Sequence, residues 1–241
     1  MKGIILAGGS ATRLRPLTKI TSKQLLPVYN KPMIFYPIET LVKAGIEDIL
    51  IIISPDYAGH FLNLLGSGKD FGAKFSYEIQ EEPRGLADAF IVGENFIGKD
   101  NVTMILGDNI FEHDFSKTIT DFKKGGHVFA KKVPDPERYA VVEFDENGKV
   151  LSIVEKPKEP KSEYAVVGLY IYDNNVIQYA KNLKPSTRGE IEIADLHNAY
   201  FSNGELKVDV IEGLWEDAGT FDSLLRVSNQ IAEKVKSGEM K

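Results

Sequence analysis

The chain has 241 residues, of which 43% are hydrophobic and 27% charged, with 29 Lys+Arg against 35 Asp+Glu and a formal net charge of -6. That length supports a substantial core, and the acidic excess argues against general nucleic-acid binding, which calls for a positive face, while leaving room for a small anion held by local cations. The lack of cysteine excludes disulfides and thiolate metal sites, the first residues do not read as a signal peptide, and no apolar run approaches the roughly 20 residues of a membrane span, so a cytoplasmic protein without membrane partners is expected.

In chain order, GIILA (3–7) reads as a buried strand running into a glycine-rich turn. MIFYPIETLVKAG (33–45) has helical spacing and ends at a glycine, and DILIIIS (48–54) is another continuous apolar strand. HFLNLLGSG (60–68) predicts a helix with its stop, AKFSYEIQ (73–80) a strand, GLADAFIVGENFI (85–97) a helix, and NVTMILGD (101–108) a strand ending in glycine and aspartate. Apolar strands alternating with amphipathic helices indicate a mainly parallel sheet covered on both faces.

After residue 126 the pattern changes. HVFAKKV (127–133) predicts a strand, and YAVVEFDENGKVLSIVEKP (139–157) a hairpin turning at ENGK. YAVVGLYIYD (164–173) predicts a strand, NNVIQYAKNL (174–183) a helix, RGEIEIADLHNAYFSNGE (188–205) a helix, and LKVDVIEG (206–213) a strand. The tail FDSLLRVSNQIAEKVKSG (221–238) fits an amphipathic helix with Leu224, Leu225, Ser228, Ile231, Ala232 and Val235 at helical intervals. KPKEPKSE (156–163) is too short for a domain linker and reads as a surface loop. The whole reads as one α/β domain, 1–241, with a mixed sheet in its second half.

The turn after the first strand, LAGGSATRLRPLT (6–18), is the most informative stretch. Ligands in open α/β sheets gather beyond the carboxyl ends of strands, and Gly8 and Gly9 let backbone amides approach phosphate oxygens. Neither the GxGxxG nor the Walker A spacing is present. Arg13, Arg15 and Lys23 instead cluster behind the glycines as a plausible polyphosphate grip. Asp108, ending MILGD, and Asp217, in WEDAG, are carboxylates from distant segments, the donors a hard cation such as Mg2+ takes alongside phosphate oxygens and water. Each taken alone reads more readily as a turn aspartate.

GGSATRLRPLTKITSKQLLPVYNKPMI, followed in order by ILGDN (105–109), EKPKEP (155–160), RGEIEIAD (188–195) and WEDAGT (215–220), resembles the signature of the nucleotidyltransferases that activate sugar 1-phosphates, over nearly the whole chain. Within that family it is most similar to short, thymidylyl-transferring members. The resemblance implies a Rossmann-like three-layer nucleotidyltransferase fold with a mixed, mainly parallel central sheet. It also implies transfer of a deoxythymidylyl group from dTTP to glucose 1-phosphate, releasing pyrophosphate.

The resemblance assigns catalytic roles to Arg13, Lys23, Asp108, Lys156 and Asp217, with Asp108 and Asp217 as the Mg2+ pair. It assigns the nucleotide to Leu6, Gly8, Gly9, Gln24, Gln80, Gly85 and Leu86, where an amide such as Gln80 suits a pyrimidine edge. It assigns the sugar phosphate to Asn109, Tyr139, Glu155, Lys156, Val166, Gly168 and Glu190, with Gly168 permitting close approach of the sugar. Asp195 and Asp222 fall outside the metal pair. Ala11 stands where the family usually has glycine, as does Ala140, and WEDAGT replaces a WLDTGT-like run.

A sugar phosphate oxygen attacks the α-phosphorus directly in this chemistry, and His60, His113, His127 and His197 form no nucleophile–base set. Thymine and uracil differ by one methyl, which apolar contacts separate only modestly, so a UTP-dependent uridylyltransferase is the alternative enzyme. A non-catalytic sugar-nucleotide sensor is the alternative of another class. Longer relatives carry extra C-terminal helices with a regulatory nucleotide site, most of which this chain is expected to lack, and homo-oligomerisation is left open.

Overall fold

The computed structural model describes residues 1–9 and 11–239, so Ser10 of the glycine-rich turn lies outside the described residues. A mixed nine-stranded sheet forms the middle layer. Its first half comprises β1 (Lys2–Ala7), β4 (Asp48–Ile53), β5 (Lys74–Ile79) and β6 (Val102–Leu106), all mutually parallel in the order β6-β1-β4-β5. β2 (Pro27–Val28) and β3 (Lys31–Pro32) form a separate small hairpin. The sheet reverses at β11 (Tyr164–Tyr172), which runs antiparallel to β6, to β8 (Gly126–Lys132) and to β9 (Ala140–Phe144). β10 (Val150–Glu155) pairs antiparallel with β9, and β12 (Leu206–Val210) pairs parallel with β8.

The apolar runs make strands because they are buried on both faces. Ile4 and Leu6 point into one core with α3 (Asp88–Val92), α6 (Val176–Asn182) and α7 (Ile193–Ser202). Ile5 and Ala7 point into the opposite core with α1 (Phe35–Lys43), α2 (Ala58–Leu65) and α5 (Ser116–Asp121). Each isoleucine fully withdrawn from water on either face contributes about 1.5–3 kcal/mol. The predicted ENGK hairpin is present: Asp145 Oδ1 accepts from the amides of Asn147 and Lys149, and Gly148 adopts φ 78 to close the turn.

Three expectations change. The helix predicted over 85–97 is two short helices, α3 and α4 (Glu94–Ile97), divided at Gly93. A Cβ there would sit 3.1 Å from both Ile4 and Leu50, so the break keeps the chain close against the sheet. The helix predicted over 188–205 begins only at Ile193. Residues 188–192 instead leave a turn at 187–188 and run on irregularly, held by Ser186 N–H to Glu190 O (2.8 Å) and Ile191 N–H to Arg84 O (2.7 Å).

The third concerns α8 (Phe221–Ser237), which starts on a capping box between Thr220 and Ser223 and stops at Gly238, φ 82. Its buried stripe is Val227 and Ile231, with Leu224 and Val235 beside them, whereas Leu225 is 63% exposed. No helix among the described residues is long and apolar enough to cross a membrane.

Candidate active site

β4 lies on one side of β1 and β6 on the other, so the carboxyl ends of β1 and β6 flank the point where the strand order diverges, where a crevice is expected. Two short strands complete it. β7 (Asn109–Phe111) follows β6 directly, and β13 (Trp215–Asp217) pairs antiparallel with it, Asp217 opposite Asn109. That pairing carries Asp217 next to Asp108, although the two are far apart in sequence. Gly219 serves the same approach, since a Cβ there would lie 2.8 Å from Asp217 Oδ1 and 3.6 Å from Asp108 Oδ2.

The charges here are strongly interdependent. Lys23 Nζ donates to Asp108 Oδ2 in a partly buried ion pair. Burial works against the Lys23 ammonium, but Asp108, followed by Asp217, outweighs it and holds its pKa above the ordinary lysine value. Burial likewise opposes the Asp108 carboxylate, while the charge and hydrogen bond of Lys23 and a bond from Asn109 Nδ2 (3.1 Å) hold its pKa below the usual range. Asp217 goes the other way: burial first, then the negative charge of Asp108, push it up against the pull of Lys23 and Arg13. A buried and a partly buried carboxylate in mutual repulsion are under-neutralised, which suits an added cation. No group of three or more potential ligands occurs among the described residues, so such a cation would draw its remaining ligands from phosphate and water, as Mg2+ does.

A cavity of about 330 Å3 runs from this pair to a second charged cluster. Two charged clusters line it, Arg13, Lys23, Asp108 and Asp217 in one and Glu155, Lys156, Arg188 and Glu190 in the other, together with Asn109, Tyr139, Val166, Gly168 and Leu86. Lys156 lies 3.1 Å from Glu155 and adopts φ 41, a left-handed backbone that a side-chain-bearing residue occupies only when its surroundings impose it. Its amide donates to Tyr139 O (3.0 Å), which fixes that turn.

Sequence reasoning missed Arg188, which pairs with Glu192 (2.8 Å), Glu155 (3.6 Å) and Glu190 (3.8 Å) and gathers three acids on one guanidinium. It also missed Arg138, Tyr170 and Glu192 in the lining. The signal for Arg188 was the RGEIEIAD run itself, in which the helical reading concealed the turn.

Asn109 lines the cavity but is also a structural junction. Its Oδ1 accepts from Trp215 Nε1 (2.7 Å) and from the Gly168 amide (3.1 Å), while its Nδ2 donates to Asp108. Gly168 is glycine for that reason, because a Cβ would lie 2.5 Å from Asn109 Oδ1. Gly168 also lines the cavity.

Of the residues assigned to the nucleotide, Leu86 lines this cavity, and Leu6, Gly8, Gly9, Gln24, Gln80 and Gly85 do not. Gln80, Gly8 and Gly85 form an adjoining patch. A Cβ at Gly8 would lie 3.2 Å from Gln80 Oε1, and Gln80 Nε2 donates to Asp88 Oδ2 (2.9 Å) and Gly85 O (3.5 Å). Gly85 has φ 105 and is crossed by the Ile191 backbone, 2.5 Å from where its Cβ would be. Gln24 is buried and accepts from Ser22 Oγ. Ala11, where glycine was expected, takes the glycine conformation, φ 44 and ψ 38, just before the 3-10 turn that carries Arg13.

None of the four histidines lines the cavity. His197 is fully buried against Tyr172, and that burial pushes its pKa down to about 3, so it stays neutral.

The sequence matches the family described as Nucleotidyl transferase over residues 2–234. A glucose-1-phosphate thymidylyltransferase of Neisseria meningitidis is 55% identical over 230 residues, 93% of this chain and 80% of that protein. One from Mycobacterium tuberculosis is 52% identical over 230 residues, with 93% and 80% coverage. A Bacillus anthracis structure described as a glucose-1-phosphate thymidylyltransferase in complex with sucrose superposes with TM-score 0.91 at 46% identity, covering 95% of this chain and 94% of that one. A UDP-glucose pyrophosphorylase complexed with UDP-glucose superposes with TM-score 0.84 at 26% identity, covering 97% and 98%.

Proposed function

This chain belongs to the nucleotidyl transferase family, and from that premise we propose that it transfers a deoxythymidylyl group from dTTP to glucose 1-phosphate, forming dTDP-glucose and pyrophosphate. The observation that carries the reading is one cavity lined by two charged clusters: a cation-and-carboxylate cluster at Lys23, Arg13, Asp108 and Asp217, and a second at Lys156, Arg188, Glu155 and Glu190. We read residues 1–241 as one domain, since segments from Arg13 to Asp217 converge on this site.

A triphosphate and a sugar phosphate each need positive charge, and each cluster carries cations of its own. Arg13 holds the leaving pyrophosphate, and Lys23 neutralises charge growing at the α-phosphate. Lys156 holds the sugar phosphate, while Glu155 and Glu190 accept from sugar hydroxyls. A phosphate oxygen of the sugar forms the new bond to the α-phosphorus as the bond to pyrophosphate breaks. That oxygen is already ionised near neutral pH, so the protein needs no nucleophile or strong base, in keeping with a cavity that none of the four histidines lines. Asp108 and Asp217 would hold Mg2+, which supplies charge neutralisation to the phosphates. Gln80 and Leu86 would face the pyrimidine.

The likeness to a UDP-glucose pyrophosphorylase supports UTP as the second nucleotide. A sensor is the less favoured reading, because binding alone does not require the under-neutralised Asp108–Asp217 pair. We further take the chain to act in the cytoplasm, without nucleic acid or membrane. Pyrophosphate release measured over several nucleoside triphosphates and sugar 1-phosphates with Mg2+ tests the reading. dTTP with glucose 1-phosphate should be the best pair, and preference for UTP or for another sugar would replace it.

A further inference from the structure

β12 is an edge strand: among the described residues it pairs with β8 alone. The direction of its free bonds follows from the ladder. Gly126 N–H donates to Glu205 O (2.8 Å) and Ile211 N–H to Ala130 O (2.9 Å), with Lys207 opposite His127 and Asp209 opposite Phe129. In a parallel ladder alternate residues turn both backbone groups to the same neighbour. Lys207 and Asp209 therefore face β8, and Leu206, Val208 and Val210 direct their N–H and C=O groups outward. Val210 also leaves 51% of its surface exposed.

An open edge of this kind is a template for another strand, and its sequence specifies which one. LKVDV reads as its own complement when a second copy is laid antiparallel about Val208. Val208 then meets Val208, and Leu206 meets Val210, in the positions that exchange hydrogen bonds; these are the residues whose backbone groups point outward. Lys207 of each copy meets Asp209 of the other in the intervening positions, where side chains come closest. Both carry exposed side-chain surface, 66% and 40%. Opposite charges thus fall together twice, and exposed Val210 gains Leu206 as cover. Such a contact is isologous, as a two-fold axis requires.

We propose that β12 is a self-pairing edge through which two copies of this chain join their sheets about a two-fold axis. Residue-resolved amide exchange at rising protein concentration, with sedimentation of the same samples, tests it. The amides of Leu206, Val208 and Val210 should become protected as the mass doubles, while those of Lys207 and Asp209 are protected throughout. Val208→Pro removes an outward N–H and spares the ladder to β8, so it should abolish both changes. Lys207→Glu, which sets like charges opposite each other, should weaken association roughly tenfold. Turnover of dTTP and glucose 1-phosphate in both variants reports an intact fold, and if Val208→Pro fails to fold, the exchange pattern of the unaltered chain decides. Outward amides that exchange freely at every concentration would overturn the proposal, as would an assembly that persists in folded Val208→Pro.

Discussion

Asn109→Ala examines how the site is held together. Two donors depend on Asn109 Oδ1, Trp215 Nε1–H at 2.7 Å and the Gly168 amide at 3.1 Å, and all three residues are buried. Leaving a buried donor without an acceptor costs about 1–3 kcal/mol, so the pair predicts about 2–6 kcal/mol, lowered to roughly 2–4 kcal/mol if water enters the vacated space. That is a large part of a typical stability of about 5–15 kcal/mol. Asp108 loses a hydrogen bond as well, which moves its pKa upward toward an ordinary carboxyl. Asn109→Asp separates the two effects, since it keeps the acceptor for Trp215 and Gly168 but sets a third carboxylate beside Asp108 and Asp217. Urea unfolding of both variants, with turnover on the folded fraction, is the assay. Asn109→Ala should lose the stated stability, and Asn109→Asp should lose mainly turnover. A stability change within about 0.5 kcal/mol for Asn109→Ala, typical of an ordinary surface site, would refute the junction.

Asp217→Asn should cut turnover at least about a hundredfold, the scale of losing a preorganised charge, and yet raise thermal stability at neutral pH without Mg2+. Its folded pKa lies above the ordinary value, so the ionised form is disfavoured in the folded chain; the gain should shrink as pH falls and the parent carboxyl protonates. Gly85→Ala must adopt φ 105 and set a Cβ 2.5 Å from Ile191 O. Thermal unfolding should report a loss of about 2 kcal/mol or more, and an unchanged midpoint would contradict the crossing. Ala11→Gly should stabilise by about 0.5–1 kcal/mol, because relief of left-handed strain exceeds the entropy glycine loses. A destabilised variant in the same urea titration would contradict that balance.

Strand positions were legible because the runs are apolar on both faces, a pattern local to each segment. Asp108 was legible for the same reason, standing at the end of β6. The position of Asp217 beside it was not, because β7 and β13 have three residues each and their pairing is set by tertiary contact. Leu225 and Leu224 are equally apolar, so periodicity could not choose which faces the core; the register of α8 against Val28 and Met33 decides it. Arg188 was concealed by a helical composition that the hydrogen bonds of Ile191 to Arg84 and Ser186 to Glu190 override. Ala11 illustrates the opposite case. Its side chain disfavours positive φ, and the turn carrying Arg13 imposes it regardless.

The most direct test of the transfer itself is to follow dTTP and glucose 1-phosphate with Mg2+ by phosphorus NMR. One dTDP-glucose should appear for each pyrophosphate released, and both should form at least about a hundredfold more slowly in Asp108→Asn or Asp217→Asn protein. Pyrophosphate accompanied by dTMP, or full turnover in either variant, would contradict the account.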